Sequence, residues 1–398
     1  MQQLERSSRI SRRALVLYFL QLGTIGFGGP AALVGYMRRD LVERTKRVDE
    51  DTFNLALALA QVMPGPLAAQ AAIAIGYFEA GVLGATLVGV AFIVPSFLMV
   101  LGLSTAYVAF GGLPWMQALF YGIGAVVIAI IAVAAYRLAR GTNKRDPLLW
   151  GIFAALALAT AWSGAELASL FLAAGLVAVY VRAWPGPRMA TVFRVLTVAG
   201  AASIWLLERA LVAAPAETAG GTLAQILVFF TKAGAFVFGS GLAIVPFLQQ
   251  GVVHDLGWLT EHQFLDAVAV ALITPGPVVI TVAFIGFLVA GVAGATLAAV
   301  GIFLPVYVFT IVPAPWFARH RNNPQLRAFV AGTTAAASGA IAGAVVVLGA
   351  RSIVDVPTAA IALVGLVLLA RWRVQEPLLV LGAGAAGLAL WPPVHAAG

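Results

Sequence analysis

The stretch FLQLGTIGFGGPAALVGY, from Phe19 to Tyr36, returns as FTKAGAFVFGSGLAIVPF, from Phe230 to Phe247. In this register Gly23 falls on Gly234, Phe27 on Phe238, Gly28 on Gly239 and Ala32 on Ala243. It continues through Phe53 and Phe264 and superposes Pro64-Gly65-Pro66 on Pro275-Gly276-Pro277. One residue is then lost, and the match resumes with Gly76 on Gly286, Ala80-Gly81-Val82 on Ala290-Gly291-Val292 and Gly84-Ala85-Thr86-Leu87 on Gly294-Ala295-Thr296-Leu297, closing at Pro95 and Pro305. Ala and Gly matches arise by chance in such a composition. A shared PGP inside a long, nearly ungapped register does not, so the chain is read as a duplication.

The rest of the composition sets the solvent. The 398 residues are 62% hydrophobic and only 10% charged, with a mean hydropathy of +0.98, far too little polar surface for a water-soluble domain. Apolar stretches long enough for a bilayer span recur from Ala14 to Trp391, and their continuity excludes the apolar–polar alternation of an outer-membrane barrel. The expected class is an all-α polytopic membrane protein. There is no cysteine, which excludes disulfides, thiolate metal sites and cysteine nucleophiles. A net charge of +8 would suggest nucleic acid in a soluble chain; here basic loops are the ordinary topology signal, and no nucleic-acid partner is expected. Met1–Arg13 followed by an apolar run resembles a signal peptide. The run is interrupted at Gly26–Pro30 and lacks a cleavage site, so it is read as retained.

Charge gives orientation. The loop from Arg38 to Asp51 carries Arg38, Arg39, Arg44, Lys46 and Arg47, whereas its counterpart, Gln249 to His262, carries no Lys or Arg. Equivalent loops with opposite bias belong on opposite sides, which is the mark of an inverted repeat. Each repeat also holds two segments too broken for one smooth helix, at Gly26–Pro30 and Pro64–Pro66 in the first copy. Read as re-entrant hairpins, they leave every basic residue inside except Arg209, Arg351 and the intramembrane Lys232. If they all cross instead, the five basic residues of the 38–51 loop move outside.

The expected plan is a cytoplasmic segment (1–13), a first repeat (14–181), a linker (182–222) with one transmembrane helix near 193–212, a second and inverted repeat (223–391), and a periplasmic tail (392–398). The first repeat holds two hairpins and about four spans, near 80–108, 116–138, 147–161 and 163–181. An even number of crossings returns it to the cytoplasm, so the linker helix is required by parity.

Broken helices at membrane depth survive only where they are buried in protein or line a cavity, so four of them predict one central site between the repeats. Gly28, Gly29, Gly239 and Gly241 let backbone approach a ligand. Pro66 and Pro277 suit the first turn of a half-helix, whose free N–H groups and dipole favour an anion. Kinking and close packing alone would also use Gly and Pro, but the paired repetition favours a site. The few polar groups within apolar segments join it: Lys232, whose repeat partner is Gln21; Gln61 and Gln70 around the first PGP; Thr274 and Thr281 around the second. Against a site, Lys232 could snorkel to an interface, and the amides and hydroxyls could simply join helices. Asp266, at the start of the second PGP segment, could carry a proton but is read as a water-facing acid at a loop end. His254, His262, His320 and His395 fall in loops or the tail without metal-ligand spacing, and no cofactor is expected. The Gly/Ala-rich stretch 332–349 is read as a close helix contact, within the chain or across a homodimer.

The FGGP at 27–30, the PGP at 64–66, the IGY and IGF continuations and a second copy of the set resemble the two-domain chromate ion transporter family over nearly the whole chain. The resemblance implies a bacterial inner-membrane protein that exports chromate and confers resistance to it. Carried over by position, the family's residues are Gly28, Gly29, Pro30, Gln61, Pro64, Gly65, Pro66 and Gln70, then Phe238, Gly239, Gly241, Pro246, Pro275, Gly276 and Pro277. Leu33 stands where members often carry histidine, Tyr77-Phe78-Glu79 where basic residues are frequent, and Ser240 where glycine is usual. Ser240, Lys232 and Thr274 complete the expected substrate set. Sulfate or another oxyanion, with or without a coupled proton, is the alternative cargo. An anion channel or an intramembrane enzyme is the alternative class, the latter lacking clustered acids or histidines.

Overall fold

In a computed structural model, residues 11–27, 29–110, 114–163, 168–184, 219–236, 238–239, 244–320, 323–372 and 374–395 are described. The expected linker helix near 193–212 lies outside them.

The chain is a helical membrane protein. Among the described residues, four helices are long and apolar enough to cross a bilayer: Leu67–Phe110, Trp115–Asn143, Val278–Arg319 and Arg327–Ala350. Shorter apolar helices span Pro147–Trp162, Leu170–Arg182, Val356–Trp372 and Glu376–Trp391. On Leu67–Phe110 the residues Leu83, Leu87, Val90, Val94 and Leu98 are all exposed, an apolar stripe at helical spacing suited to lipid.

The breaks fall where glycine and proline predict them. Helix α1 (Arg12–Ile25) stops at Gly26, and α2 (Gly29–Met37) begins after it. Helix α3 (Glu50–Val62) stops at Met63, and α4 (Leu67–Phe110) begins after the PGP. At 44 residues α4 would be about 66 Å long if straight, twice a hydrocarbon core. It is not straight: Ala80 and Gly81 are non-helical, with Gly81 at φ 68°, so the chain doubles back there. Gly76 and Gly84 sit backbone to backbone across that bend, where a Cβ on Gly84 would lie 2.2 Å from the Gly76 carbonyl oxygen. The second copy repeats the device in the helix Thr281–Ile311, with Gly291 at φ 58° and Gly286 against Gly294. The AGV and GATL matches of the alignment are thus the bend and its contact.

The loops after the first broken segment share one backbone. Each begins with a π-helical turn, at Arg38–Arg44 and Gln250–Asp255. In the first, Arg47 and Val48 N–H both donate to Leu41 O, at 2.9 and 3.1 Å; in the second, Trp258 and Leu259 N–H both donate to Val252 O, at 2.8 and 3.1 Å. Lys46 and Gly257 occupy the same left-handed position, at φ 49° and 59°. Asp49 caps the next helix through Thr52 N–H, and Thr260 does so through Gln263 N–H.

Outside the broken segments, helices α5 (Pro114–Asn143), α6 (Pro147–Ser163) and α7 (Ala168–Arg182) pack on the helix Pro324–Ser352. Gly332 sits against Ala174, Gly339 against Phe153 and Gly343 against Ala157. The small-residue stretch 332–349 is therefore a contact within the chain. Arg182 pairs with Asp146, and Arg137 donates to Leu369 O at 3.0 Å.

Candidate functional site

The broken segments meet crosswise. The first copy's PGP pairs in parallel with the second copy's glycine break, Gly65 opposite Phe238 and Pro66 opposite Gly239. The second copy's PGP reaches the first copy's break, with Gly276 N–H donating to Gly26 O at 2.9 Å. Each repeat thus supplies half of two matching junctions at the centre of the molecule. Backbone groups freed from helical bonding are satisfied by the other copy, as a break at membrane depth requires.

Both PGP glycines adopt conformations that disfavour a side chain, Gly65 at φ 145° and Gly276 at φ 97°. Around them the two copies differ. Gln70, fully buried, donates through Nε2 to Pro64 O at 2.7 Å and leaves its buried Oε1 without a partner. In the second copy a side chain from the first does the bracing. The Ser96 hydroxyl lies 2.7 Å from Pro275 O and 3.3 Å from Gly23 O, tying α1, α4 and the second PGP together. Its repeat partner is Val306, buried and apolar. Pro275, Gly276 and Pro277 are buried, whereas Pro64 is half-exposed.

The expected site residues divide as follows. Gly65, Pro66, Gly239 and Gly276 are brought together at the junctions, with Pro64, Pro275, Pro277 and Gln70 beside them. Pro66 immediately precedes α4, and Pro277 immediately precedes a 3₁₀ turn, Val278–Ile280, so each proline stands one position before the first turn. Gly29 and Pro30 open α2. Thr274 and Thr281 bond their own segments, to Val270 O at 2.6 Å and Val278 O at 2.8 Å, and join no helices. Gln61 is exposed near the end of α3. Lys232 is half-buried one turn before the end of the helix Ala219–Phe236. Gly28, Ser240 and Gly241 lie outside the described residues.

Asp266 requires a correction. It is 8% exposed and accepts a hydrogen bond from the Tyr107 hydroxyl at 2.7 Å. Its place in the second turn of the helix Glu261–Ile273 turns it inward against α4; nearness to a loop in the sequence does not decide which helix face a residue takes. The aligned residue of the first copy is Leu55.

Two cavities are lined by residues of these segments and their neighbours. The first, about 530 Å³, is lined by Tyr18, Gln21, Gly26, Phe27, Tyr36, Arg39, Asp40, Arg44 and Arg47 among others, so it joins the basic loop to the first glycine break. The second, about 380 Å³, gathers Tyr107, Gln117, Tyr121, His262, Asp266 and Trp391, with Tyr121 also bonded to Asp355. The repeat equivalents of Tyr18, Tyr36 and Arg47 are Phe229, Phe247 and Trp258, and these form an aromatic cluster. Phe229 stacks on Phe247 at 5.5 Å and meets Trp258 edge-on at 5.7 Å.

Of these groups, sequence reasoning missed Ser96 and the lining of both cavities. The alignment held one usable signal for Ser96: it follows the matched Pro95 and faces a valine in the other copy.

A family model described as "Chromate transporter" matches the chain twice, over residues 13–180 and 224–388. The chain is 53% identical to a protein named "Chromate transport protein" from Cupriavidus metallidurans, covering 96% of this chain and 94% of that one. It is 51% identical to a "Probable chromate transport protein" of Synechococcus elongatus, covering 96% of each, and 31% identical to a "Chromate transport protein" of Pseudomonas aeruginosa, covering 94% and 91%. No solved structure matches it. With two full-length repeats matched and relatives alike from end to end, the chain belongs to the chromate transporter family.

Proposed function

We propose that the protein exports chromate across the bacterial inner membrane and so confers resistance, through a site between the crossed breaks. The observation that carries this reading is the reciprocal junction, Gly65 with Phe238 and Gly276 with Gly26, reached from one side by a cavity bordered by three arginines. An anion moving between the helix breaks meets small residues and the N-terminal turns of α2 and α4, whose dipoles attract it weakly enough for release as well as binding. Gly28, Gly29, Ser240, Gly241, Gln61 and Lys232 belong to this reading, as does an inverted arrangement of repeats 14–181 and 223–391 with the N-terminus cytoplasmic. Five Lys and Arg in one loop and none in its counterpart, on one backbone, support the inversion. So does the grouping of the residues lining each cavity, with Gln375 beside the 39–47 loop and Tyr107, Ser352 and Trp391 beside His262.

Direction follows from charge. Each elementary charge gains about 2.3 kcal/mol per 100 mV. A dianion leaving a negative-inside cell therefore gains about 4.6 kcal/mol, more than three decades of concentration. Export needs no coupled ion. Chromate uptake into inside-out vesicles should rise with an interior-positive potential and fall when the potential is dissipated at a held pH gradient; uptake indifferent to potential overturns the mechanism. Lys232→Ala should lower the flux if Lys232 faces the path.

Asp266 favours a second reading in which a proton moves with the oxyanion, since a buried carboxyl opens on the second cavity. That reading requires a pH gradient alone, at zero potential, to drive flux, and Asp266→Asn to abolish that component only.

A further inference from the structure

We propose that Arg44 and Arg47, with Tyr18 behind them, form a capture site for divalent tetrahedral oxyanions at the mouth of the first repeat, separate from the central junction. The proposal rests on the transport reading above and adds a waiting position on the path. Both arginines line the cavity that ends at Gly26 and Phe27. Among the described residues no carboxylate lies within ion-pair distance of either, whereas Arg38 pairs with Glu43 and Glu50 and Arg39 with Asp40. Arg39 also lies over the Tyr36 ring at 5.1 Å. Of the three arginines that line the cavity, Arg39 is therefore neutralised by Asp40, while Arg44 and Arg47 keep their charge for a ligand. The Tyr18 hydroxyl is buried on the same wall beside the Asp40 carboxylate, which Arg39 already neutralises, so Arg44 and Arg47 leave the lining with a net positive charge.

The second repeat shows that the loop does not need these groups to fold. Asp255 and Trp258 replace Arg44 and Arg47, Phe229 replaces Tyr18, and the backbone hydrogen bonds are unchanged. There the aromatic cluster of Phe229, Phe247 and Trp258 occupies the equivalent place. One repeat thus presents a cationic cavity, and the other, at the equivalent place, a cluster of aromatic rings that carries no positive charge. Arginine and a phenol suit an anion with several acceptor oxygens, and two open cations favour a dianion over a monoanion.

The test is chromate flux into inside-out vesicles, comparing the chain with an Arg44→Gln, Arg47→Gln double variant and an Arg44→Lys, Arg47→Lys double variant. Capture predicts that the glutamine pair raises KM roughly three- to ten-fold with little change in maximal rate, from the loss of two exposed charge contacts. The rise should shrink at high salt, and the lysine pair should restore KM to within about two-fold, because it keeps both the charge and the topology signal. An unchanged KM, a rise insensitive to salt, or a fall in maximal rate alone overturns the proposal. If the unaltered chain carries no chromate, the transport reading fails separately. Equilibrium dialysis of chromate against purified protein then decides the capture site, which requires binding that the glutamine pair loses and the lysine pair keeps.

Discussion

Residues 38–51 and 249–262 are built on one backbone, with the same π-helical start, the same pair of amides on one carbonyl, the same left-handed residue and the same capped exit. One carries five basic side chains and borders a cavity, and the other carries none and packs an aromatic cluster. Fold and charge have separated after duplication. The shape of the repeat is set by glycine, proline and apolar positions that both copies retain, while the remaining positions have been free to make the two sides of the molecule chemically unlike. In the inverted arrangement proposed above, that inequality gives the two faces different mouths, while the direction of net flux is set by the membrane potential.

The comparison breaks most severely at the PGP glycines. A Cβ on Gly276 would lie 2.0 Å from the Ser96 hydroxyl, and one on Gly65 would lie 2.6 Å from the movable end of Gln70. Both positions also have φ values that alanine rarely adopts. Gly276→Ala should therefore cost about 3 kcal/mol or more and abolish flux. Gly65→Ala, where the amide can turn aside, should keep measurable transport. Adding Ser96→Ala to Gly276→Ala removes the overlap but leaves the strained φ, so stability in detergent should recover in part. Equal damage from the two single alanines would show that the junctions are more alike than their side-chain surroundings.

Ser96→Val installs the second copy's residue in the first. It removes the hydroxyl that braces Pro275 O and Gly23 O and leaves a buried carbonyl short of a partner, which costs about 1–3 kcal/mol. A lowered unfolding midpoint in detergent is expected, with a smaller change in flux, because the Gly276–Gly26 backbone bond remains. A midpoint unchanged from that of the unaltered chain would mean that the hydroxyl is not bracing the second PGP.

These expectations mark how far the sequence could be read. The repeat and its breaks were legible because glycine and proline are required by backbone geometry, and backbone geometry is what duplication preserves; Gly81 and Gly291 were seen only as matched residues, and their bends were not read. The basic loop was legible as a topology signal and, for that reason, was not read as the wall of a cavity. The crosswise pairing was hidden, since alignment within a chain says which positions correspond and nothing about which touch. Ser96 was hidden differently: it is a single departure from the repeat, aligned with Val306, and a reading built on identities passes over the differences. Asp266, aligned with Leu55, was noticed, but sequence position did not reveal which helix face it takes. Thr274 and Thr281 each donate to a carbonyl of their own segment, an alternative that a hydroxyl in an apolar helix always has within reach.

The smallest effect is expected where the copies already solve one problem with different residues. Arg38 donates to Glu50 at 2.8 Å, and its counterpart Gln249 donates to Glu261 at the same distance. The Arg38–Glu50 pair is about half-exposed on both sides, where an ion pair contributes from nothing to about 1 kcal/mol. Arg38→Gln keeps the donor and discards only the charge, so thermal stability should change by less than about 0.5 kcal/mol and chromate KM by less than two-fold. The contrast with Arg44 and Arg47 is the point of the measurement. All three are basic residues of one loop with equal weight in setting topology, but Arg38 is already paired outside the cavity and the others face into it. A KM shift in Arg38→Gln as large as in the Arg44 and Arg47 variants would mean that the loop acts through its total charge. A negligible shift assigns the effect to the two side chains that line the mouth.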